Sequence, residues 1–293
     1  MRSWHESGGG PGGREGDRFS VDWMKRYEEL GHTDASDASR ATYEPGFFAR
    51  REALIRHVMA GLRRSAASPG GLGLDVGCNV GRYTRILAEE GRLRVCGVDY
   101  AESLVRIART RQPDGLFVRA NAYELPFPSD HFEYVMSLGL LQCVMDWKRV
   151  LGEIVRVLRP GGMAIVETNR AFSTTEALLR SLSYVMRGKM SWSEHTGFLR
   201  SYSVAGKDSV ASNTPRKYSP WRLQRFLRDC PLKTVVVHDP CRYWLFHDFI
   251  FALSFVKTDA ESAGTPPRIE VCRECGHAGI KGRGSFEVKP QGG

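Results

Sequence analysis

With 293 residues, 42% of them apolar, the chain is long enough to bury one sizeable α/β core. Its net charge of +9 favours anionic partners without naming them. No apolar run reaches the roughly 18 residues that span a bilayer, and the richest stretch, Phe246 to Val256, is broken by His247 and Asp248. There is also no apolar leader, so a cytoplasmic protein without a membrane partner is expected.

Residues 1–18 are polar and Gly-rich, with SGGGPGGREG at their centre, and are expected to form a flexible leader. A folded domain is expected over 19–258. It opens with two helices, one through Phe19, Trp23, Tyr27 and Leu30, the other through Phe48, Ile55, Met59 and Leu62, both at helical apolar spacing. From Leu72 onward, short apolar strands alternate with amphipathic helices. Strands are expected at about 72–76, 94–98, 116–119, 133–138, 163–168, 233–238 and 249–256, and helices at about 81–90, 101–110, 147–158 and 219–229. The helix at 147–158 should stop before Arg159-Pro160-Gly161-Gly162. The series predicts an α/β fold with a doubly wound, mostly parallel seven-stranded sheet, N-terminal helices and a cap insertion after the fifth strand.

That insertion, 170–217, leaves the sheet where open α/β sheets bind ligands. It carries eight basic and three acidic residues, a surplus of five, whereas 1–18 and 259–293 are each neutral. Beyond 258 the text is Gly, Pro and charge, and a loose tail is expected over 259–293. The seven cysteines are expected to be reduced. Cys272-Arg-Glu-Cys275 has ligand-like spacing, but a tetrahedral zinc site needs two further ligands; His277 offers only one, so the expectation is no metal and two free thiols.

The segment from Leu74 to Thr84 reads LDVGCNVGRYT, an apolar strand running through small residues into a helix, which lets backbone approach a ligand at the helix N-terminus. The second strand ends at Asp99, 22 residues beyond Gly77, where a carboxylate can accept both hydroxyls of a ribose. The third leads to Asn121-Ala122-Tyr123 and then Leu125-Pro126-Phe127, a polar group beside an apolar wall suited to adenine. Three strand tips thus point to one nucleoside. A dinucleotide-binding dehydrogenase is the structural alternative, disfavoured by the long LPFP segment and the lack of a GxGxxG register.

Over about 72–168, through Phe132-Glu133-Tyr134-Val135 and Val157-Leu158-Arg159-Pro160-Gly161-Gly162, the chain resembles the class I S-adenosylmethionine-dependent methyltransferases, small-molecule branch. The resemblance implies S-adenosyl-L-methionine as cofactor. It assigns Asp75 and Gly77 to the amino end of the methionine part, Asp99 to the ribose, Asn121 and Ala122 to the adenine edge, and Arg50 or Arg51 to the methionine carboxylate. Cys78, Asn79, Gly81, Tyr100, Tyr123 and Leu138 complete the expected cofactor set, with Tyr27 and Tyr43 as candidates for an N-terminal lid. The chain departs from the family at Asn79 (usually Gly), Asn121 (usually Asp) and Glu133 (usually Asp). Asn tolerates positive φ, and its amide oxygen can accept from adenine. Both asparagines also fit a plain turn role in a domain that has lost its cofactor.

Relatives that methylate hydroxyls often carry a histidine after the fourth strand; here the segment is Leu141-Gln142-Cys143-Val144-Met145-Asp146. The catalytic candidate is therefore His195 in the insertion, beside Glu194, against the alternative of a surface histidine. The leading reading is methyl transfer to oxygen or nitrogen of a small, anionic acceptor in natural-product biosynthesis, without a nucleic-acid partner. The competing readings are an RNA or protein methyltransferase, and a scaffold that keeps the cofactor for binding or a non-methylating reaction. The sequence does not set the oligomeric state.

Overall fold

The structure is a computed structural model that describes residues 25, 27–29, 51–53, 55–57, 59, 70–169, 182, 185, 186, 188, 191–193, 196, 218–238, 250–258 and 265–272. Its elements run β1 (Leu72–Val76), α1 (Arg82–Gly91), β2 (Arg94–Asp99), α2 (Glu102–Arg111), β3 (Leu116–Arg119), β4 (Phe132–Leu138), a 3₁₀ turn (Leu141–Cys143), α3 (Trp147–Val157), β5 (Leu158–Asn169), α4 (Pro220–Leu227), β6 (Leu232–His238), β7 (Ile250–Lys257) and β8 (Arg268–Val271). The described parts of the two expected N-terminal helices, at 25–29 and 51–59, are helical.

The strands form one sheet in the order β3-β2-β1-β4-β5-β7-β6-β8. Neighbours from β3 to β5 are parallel, β7 runs antiparallel to both β5 and β6, and β8 lies parallel to β6. The strand order reverses between β1 and β4, which opens a crevice at their carboxyl ends. Both faces are covered. Leu74, Val76, Val135, Ala164 and Val166 pack with Leu151 and Ile154 of α3 and Leu223 of α4, whereas Met136 and Ile165, one residue out of phase, pack with Ile86, Leu87, Ile55 and Met59. Burial on two faces is why these strands read as continuous apolar runs rather than as an alternation.

The helix starts follow local chemistry. Asp146 and Ser219 accept from the backbone N–H of Arg149 and Arg222 at 3.1 and 3.3 Å, capping α3 and α4, and Pro220 opens α4 where its missing N–H costs nothing. Clamped to α3 is the Leu125-Pro126-Phe127 segment, whose carbonyls at Leu125 and Phe127 accept from Arg156 at 3.0 and 2.8 Å.

Two expectations are corrected. The sheet has eight strands, not seven, because Arg268–Val271 pairs along β6 within the stretch expected to be loose tail. Four residues between Pro-rich and Gly-rich text are too few to show a period. The Arg159-Pro160-Gly161-Gly162 run also does not separate α3 from a later strand; it lies inside β5, with Gly161 at φ 72° and a register shift against β4 absorbing the irregularity. The insertion lies mostly outside the described residues, but its two ends are joined: Tyr218 N–H donates to the Asn169 carbonyl at 2.9 Å. The excursion from 170 to 217 thus starts and finishes at the tip of β5. Among the described residues no helix is long and apolar enough to cross a membrane.

Candidate functional site

A cleft opens at the carboxyl ends of β1, β2, β3 and β4, walled by the turn after β1, the tips of β2 and β3, and the segment after β4. Its floor is shaped by backbone. The N–H groups of Gly77 and Cys78 both donate to the Val98 carbonyl, at 2.8 and 2.9 Å, tying the β1 turn to β2. Gly77 holds φ 80° and Asn79 φ 52°, both left-handed, so the turn needs residues for which this conformation is cheap. That requirement accounts for Asn79 in place of the family's glycine.

Asp99 stands at the tip of β2. Its Oδ2 accepts from Asn79 N–H at 2.8 Å and its Oδ1 from Ala101 N–H at 3.0 Å, so the carboxylate is fixed by backbone on both oxygens. Burial pushes its pKa up, while these N–H donors act in the opposite direction. A carboxylate has about four acceptor sites, so each oxygen retains capacity for a hydroxyl from the cleft. Asn121 Oδ1 accepts from Tyr123 N–H at 3.0 Å, turning the chain after β3. The residue thus does the work of a turn and stands on the cleft wall as well. Tyr123 is itself fixed, its hydroxyl accepting from Met145 N–H at 2.9 Å.

Arg51 reaches the cleft from the N-terminal helical segment. Its guanidinium pairs with the buried Glu167 of β5, Nε donating to Oε2 at 2.9 Å and Nη2 to the same oxygen. It also sits 5.3 Å from the centroid of the Tyr83 ring. Burial is the largest single influence and works against the Arg51 charge, but Glu167 and Tyr83 together hold the guanidinium above its ordinary range. A methyl group on Gly139 would come within 2.6 Å of Nη2, so the bare backbone there lets the guanidinium lie flush against the β4 turn. A buried polar atom of the cleft wall, Gln142 Oε1, has no hydrogen-bond partner among the described residues. An orphaned polar atom is costly inside a protein, and a polar ligand reaching it would relieve that cost.

Of the cofactor residues expected from sequence, all but Asp75 and Gly81 stand on the cleft wall. Asp75 lies beneath the floor, 2% exposed, with its Oδ2 accepting from the Thr84 hydroxyl at 2.6 Å. Burial raises its pKa from 3.8 to about 7 against the lowering effect of that hydroxyl. Gly81 faces away from the cleft, since a side chain there would meet Gln112 Nε2 at 2.5 Å and the Phe117 ring at 3.0 Å. Its glycine serves packing. Glu133 sits at the start of β4, near the far edge of the sheet from the cleft, 3.4 Å from Arg159 in an ion pair. Cys78 lines the cleft as a protonated thiol, its pKa pushed well up by burial and then by Asp75 and Asp99.

Tyr27 also lines the cleft, its hydroxyl 3.7 Å from Cys143 Sγ. It is held there by its neighbour Glu28, whose side chain accepts from Ser103 N–H at 3.1 Å and whose carbonyl accepts from the Ser103 hydroxyl at 2.8 Å. Arg50, Tyr43, Glu194 and His195 lie outside the described residues. Sequence reasoning passed over Tyr83, Gln142 and Glu167. Gln142 had a signal, since it falls where a histidine was sought; Glu167 had none.

A cleft at the switch point of a mostly parallel sheet is where ligands bind in open α/β folds. Residues 74–166 match the family model described as "Methyltransferase domain". Similar curated proteins include the demethylmenaquinone methyltransferase of Lysinibacillus sphaericus (strain C3-41), 34% identical over 118 residues, covering 38% of this chain and 50% of that protein. Another is the malonyl-acyl-carrier-protein O-methyltransferase of Serratia marcescens, 33% identical over 143 residues, covering 48% of this chain and 54% of that protein. The chain spans about half the length of these relatives. In fold it resembles a chain from the complex between the Haloferax volcanii Trm112 methyltransferase activator and a methyltransferase, with a TM-score of 0.54 at 17% identity, covering 80% of this chain and 98% of that one. A protein of Pyrococcus horikoshii OT3 has a TM-score of 0.51 at 18% identity, covering 73% and 92%.

Proposed function

We propose that the protein transfers the methyl group of S-adenosylmethionine to an oxygen or nitrogen of a small acceptor. The observation that carries this reading is the convergence of three strand tips, at Asn79, Asp99 and Asn121, on one cleft. In it Asp99 would hold the ribose hydroxyls, Asn121 and Ala122 the adenine edge, and Arg51 with Gln142 the charged end of the methionine part. The cofactor supplies an electrophilic methyl on sulfonium. What the chain adds is alignment and exclusion of water, and proximity of this kind supplies about 7 to 11 kcal/mol in favourable cases.

The acceptor would enter beside the segment after β4. The Leu141 carbonyl there accepts from the buried Tyr218 hydroxyl at 3.0 Å, and Tyr218 is where the 170–217 excursion returns to the sheet. This supports the insertion as a cap over the acceptor end. Its surplus of five positive charges favours an anionic or electron-rich acceptor. Within this reading His195 is the candidate base, and the cytoplasm the compartment. Of the two curated relatives, one is named for methylating demethylmenaquinone and the other for O-methylating malonyl-acyl-carrier-protein. The direct test is mass spectrometry of metabolites from cells with and without the gene. A species heavier by 14 daltons, the mass gained when CH₃ replaces H, is expected only where the gene is present. Purified protein that binds the cofactor yet forms no S-adenosylhomocysteine across a broad acceptor panel would favour the scaffold reading instead.

A further inference from the structure

At the other end of the sheet a second cluster assembles from three distant parts of the chain. β8 runs parallel to β6 with Val271 opposite Val237, so His238 and Cys272 stand at the ends of neighbouring strands. Cys272 N–H donates to the Val237 carbonyl at 2.9 Å, fixing that alignment. His57 comes from the helical segment whose Ile55 and Met59 pack over Met136, Ile165 and Ala252, and Cys272 packs against the same group. The ligand atoms of His57, His238 and Cys272 all lie within 4.8 Å of one another.

We propose that His57, His238 and Cys272 bind a divalent cation of the zinc class, which fastens the N-terminal helical segment to the last two parallel strands. Imidazole with thiolate is the donor set that selects such an ion over magnesium or calcium. The spacing fits as well. Zinc–sulfur and zinc–nitrogen bonds of about 2.3 and 2.05 Å at the tetrahedral angle put the two ligand atoms about 3.5 Å apart, and Cys272 Sγ lies 3.6 Å from His57 Nε2. His238 is buried, and its Nε2 lies 2.8 Å from the Ser254 hydroxyl. A partner of that kind orients a ligating histidine and sets its tautomer, so that Nδ1 is the nitrogen presented to the ion. The proposal stands on these three donors.

His57 lies 215 residues from Cys272 in the chain and His238 belongs to another strand, which is why no metal is expected from the sequence alone. The cluster shares the carboxyl edge of the sheet with the cofactor cleft, but four strand spacings from β1, roughly 19 Å. The ion would be structural, since metal binding across segments so distant in sequence adds to folding stability, and the proposal is independent of the methyl-transfer reading. Because His57 and Arg51 belong to one helical segment, the ion would also hold the cleft's arginine in place.

The test uses the full chain, purified under reducing conditions. Elemental analysis is expected to find one zinc per chain. After chelation, titration with cobalt(II) should give the visible bands of a tetrahedral ion and the near-ultraviolet thiolate-to-cobalt band. His57→Ala and His238→Ala should each weaken cobalt binding at least tenfold, with circular dichroism reporting whether the fold is kept. Because His238 is buried, the half-buried His57 gives the cleaner reading. Cobalt bound as tightly by His57→Ala as by wild type, but lost in Cys272→Ser, would place the ion on the cysteine pair alone and overturn the proposal. Wild-type protein without a thiolate-to-cobalt band would overturn it too.

Discussion

The two halves of the sheet are built by different logic. In the half formed by β3, β2, β1 and β4, the polar groups in and beneath the cleft are fixed by partners no more than 20 residues away: Asp99 by Asn79 and Ala101, Asn121 by Tyr123, Asp75 by Thr84. In the half formed by β5, β7, β6 and β8, the polar groups meet across long separations. Arg51 and Glu167 are 116 residues apart, and His57 and Cys272 are 215 apart. The first half is a set of local motifs that a sheet brings side by side. The second is a closure, in which an N-terminal helical segment is pinned to late strands, and there a single substitution removes a long-range tie.

The difference predicts where damage is greatest. Glu167→Gln leaves Arg51 charged and buried without its carboxylate. Breaking such a pair costs about 3 to 5 kcal/mol, so urea unfolding should shift by that amount with the slope unchanged. A shift below 1 kcal/mol, the range of an exposed pair, would mean that the closure is not held at this point.

Asp75 tests the local half through pH. Its carboxyl keeps its proton up to about pH 7 in the fold but only to about 3.8 in the unfolded chain. The group's contribution to stability is therefore fully present below 3.8 and is lost as pH rises through 7. Asp75→Asn should be more stable than wild type at pH 8 by at most about 4 kcal/mol, the value of three pKa units, with the gap shrinking as pH falls from 7 toward 4. Thermal melts across that range check the sign, and a gap that widens on acidification would contradict it.

The smallest effect belongs to the insertion. Neutralising Arg187, Lys189 and Arg200 together should raise KM for an anionic acceptor several-fold and flatten its salt dependence, because screening acts over about 8 Å at physiological ionic strength. Affinity for the cofactor should not change. A KM and salt profile equal to wild type would leave the insertion as cover without a recognition role.

How much of this was legible in the sequence follows the same division. The turn from Leu74 to Gly81, the carboxylate at Asp99 and the polar tip at Asn121 could be read because strand, turn and helix signals lie next to one another along the chain. Even there, the sequence did not reveal that Gly81 faces Phe117 instead of the cleft, or that Asp75 lies under the floor, since glycine and aspartate serve packing and binding alike. In the second half the strands β5, β6 and β7 could be read, but the polar ties between them and the N-terminal segment could not. Glu167 is one acid in an apolar run, and His57 and His238 are lone histidines until the sheet brings them to Cys272. β8 escaped notice because four residues carry too little pattern to stand out against the glycines and prolines around them.

The central claim is that the strand tips converge on one molecule of S-adenosylmethionine. Calorimetry with S-adenosylhomocysteine, which needs no acceptor, tests it most directly. Wild-type protein should bind one molecule per chain, and Asp99→Ala should lose about 1.5 to 3 kcal/mol, the worth of hydrogen bonds to a charged acceptor, with Asn79 left in place to keep the turn. Unchanged affinity in Asp99→Ala, or wild-type protein that binds no S-adenosylhomocysteine at all, would contradict the account.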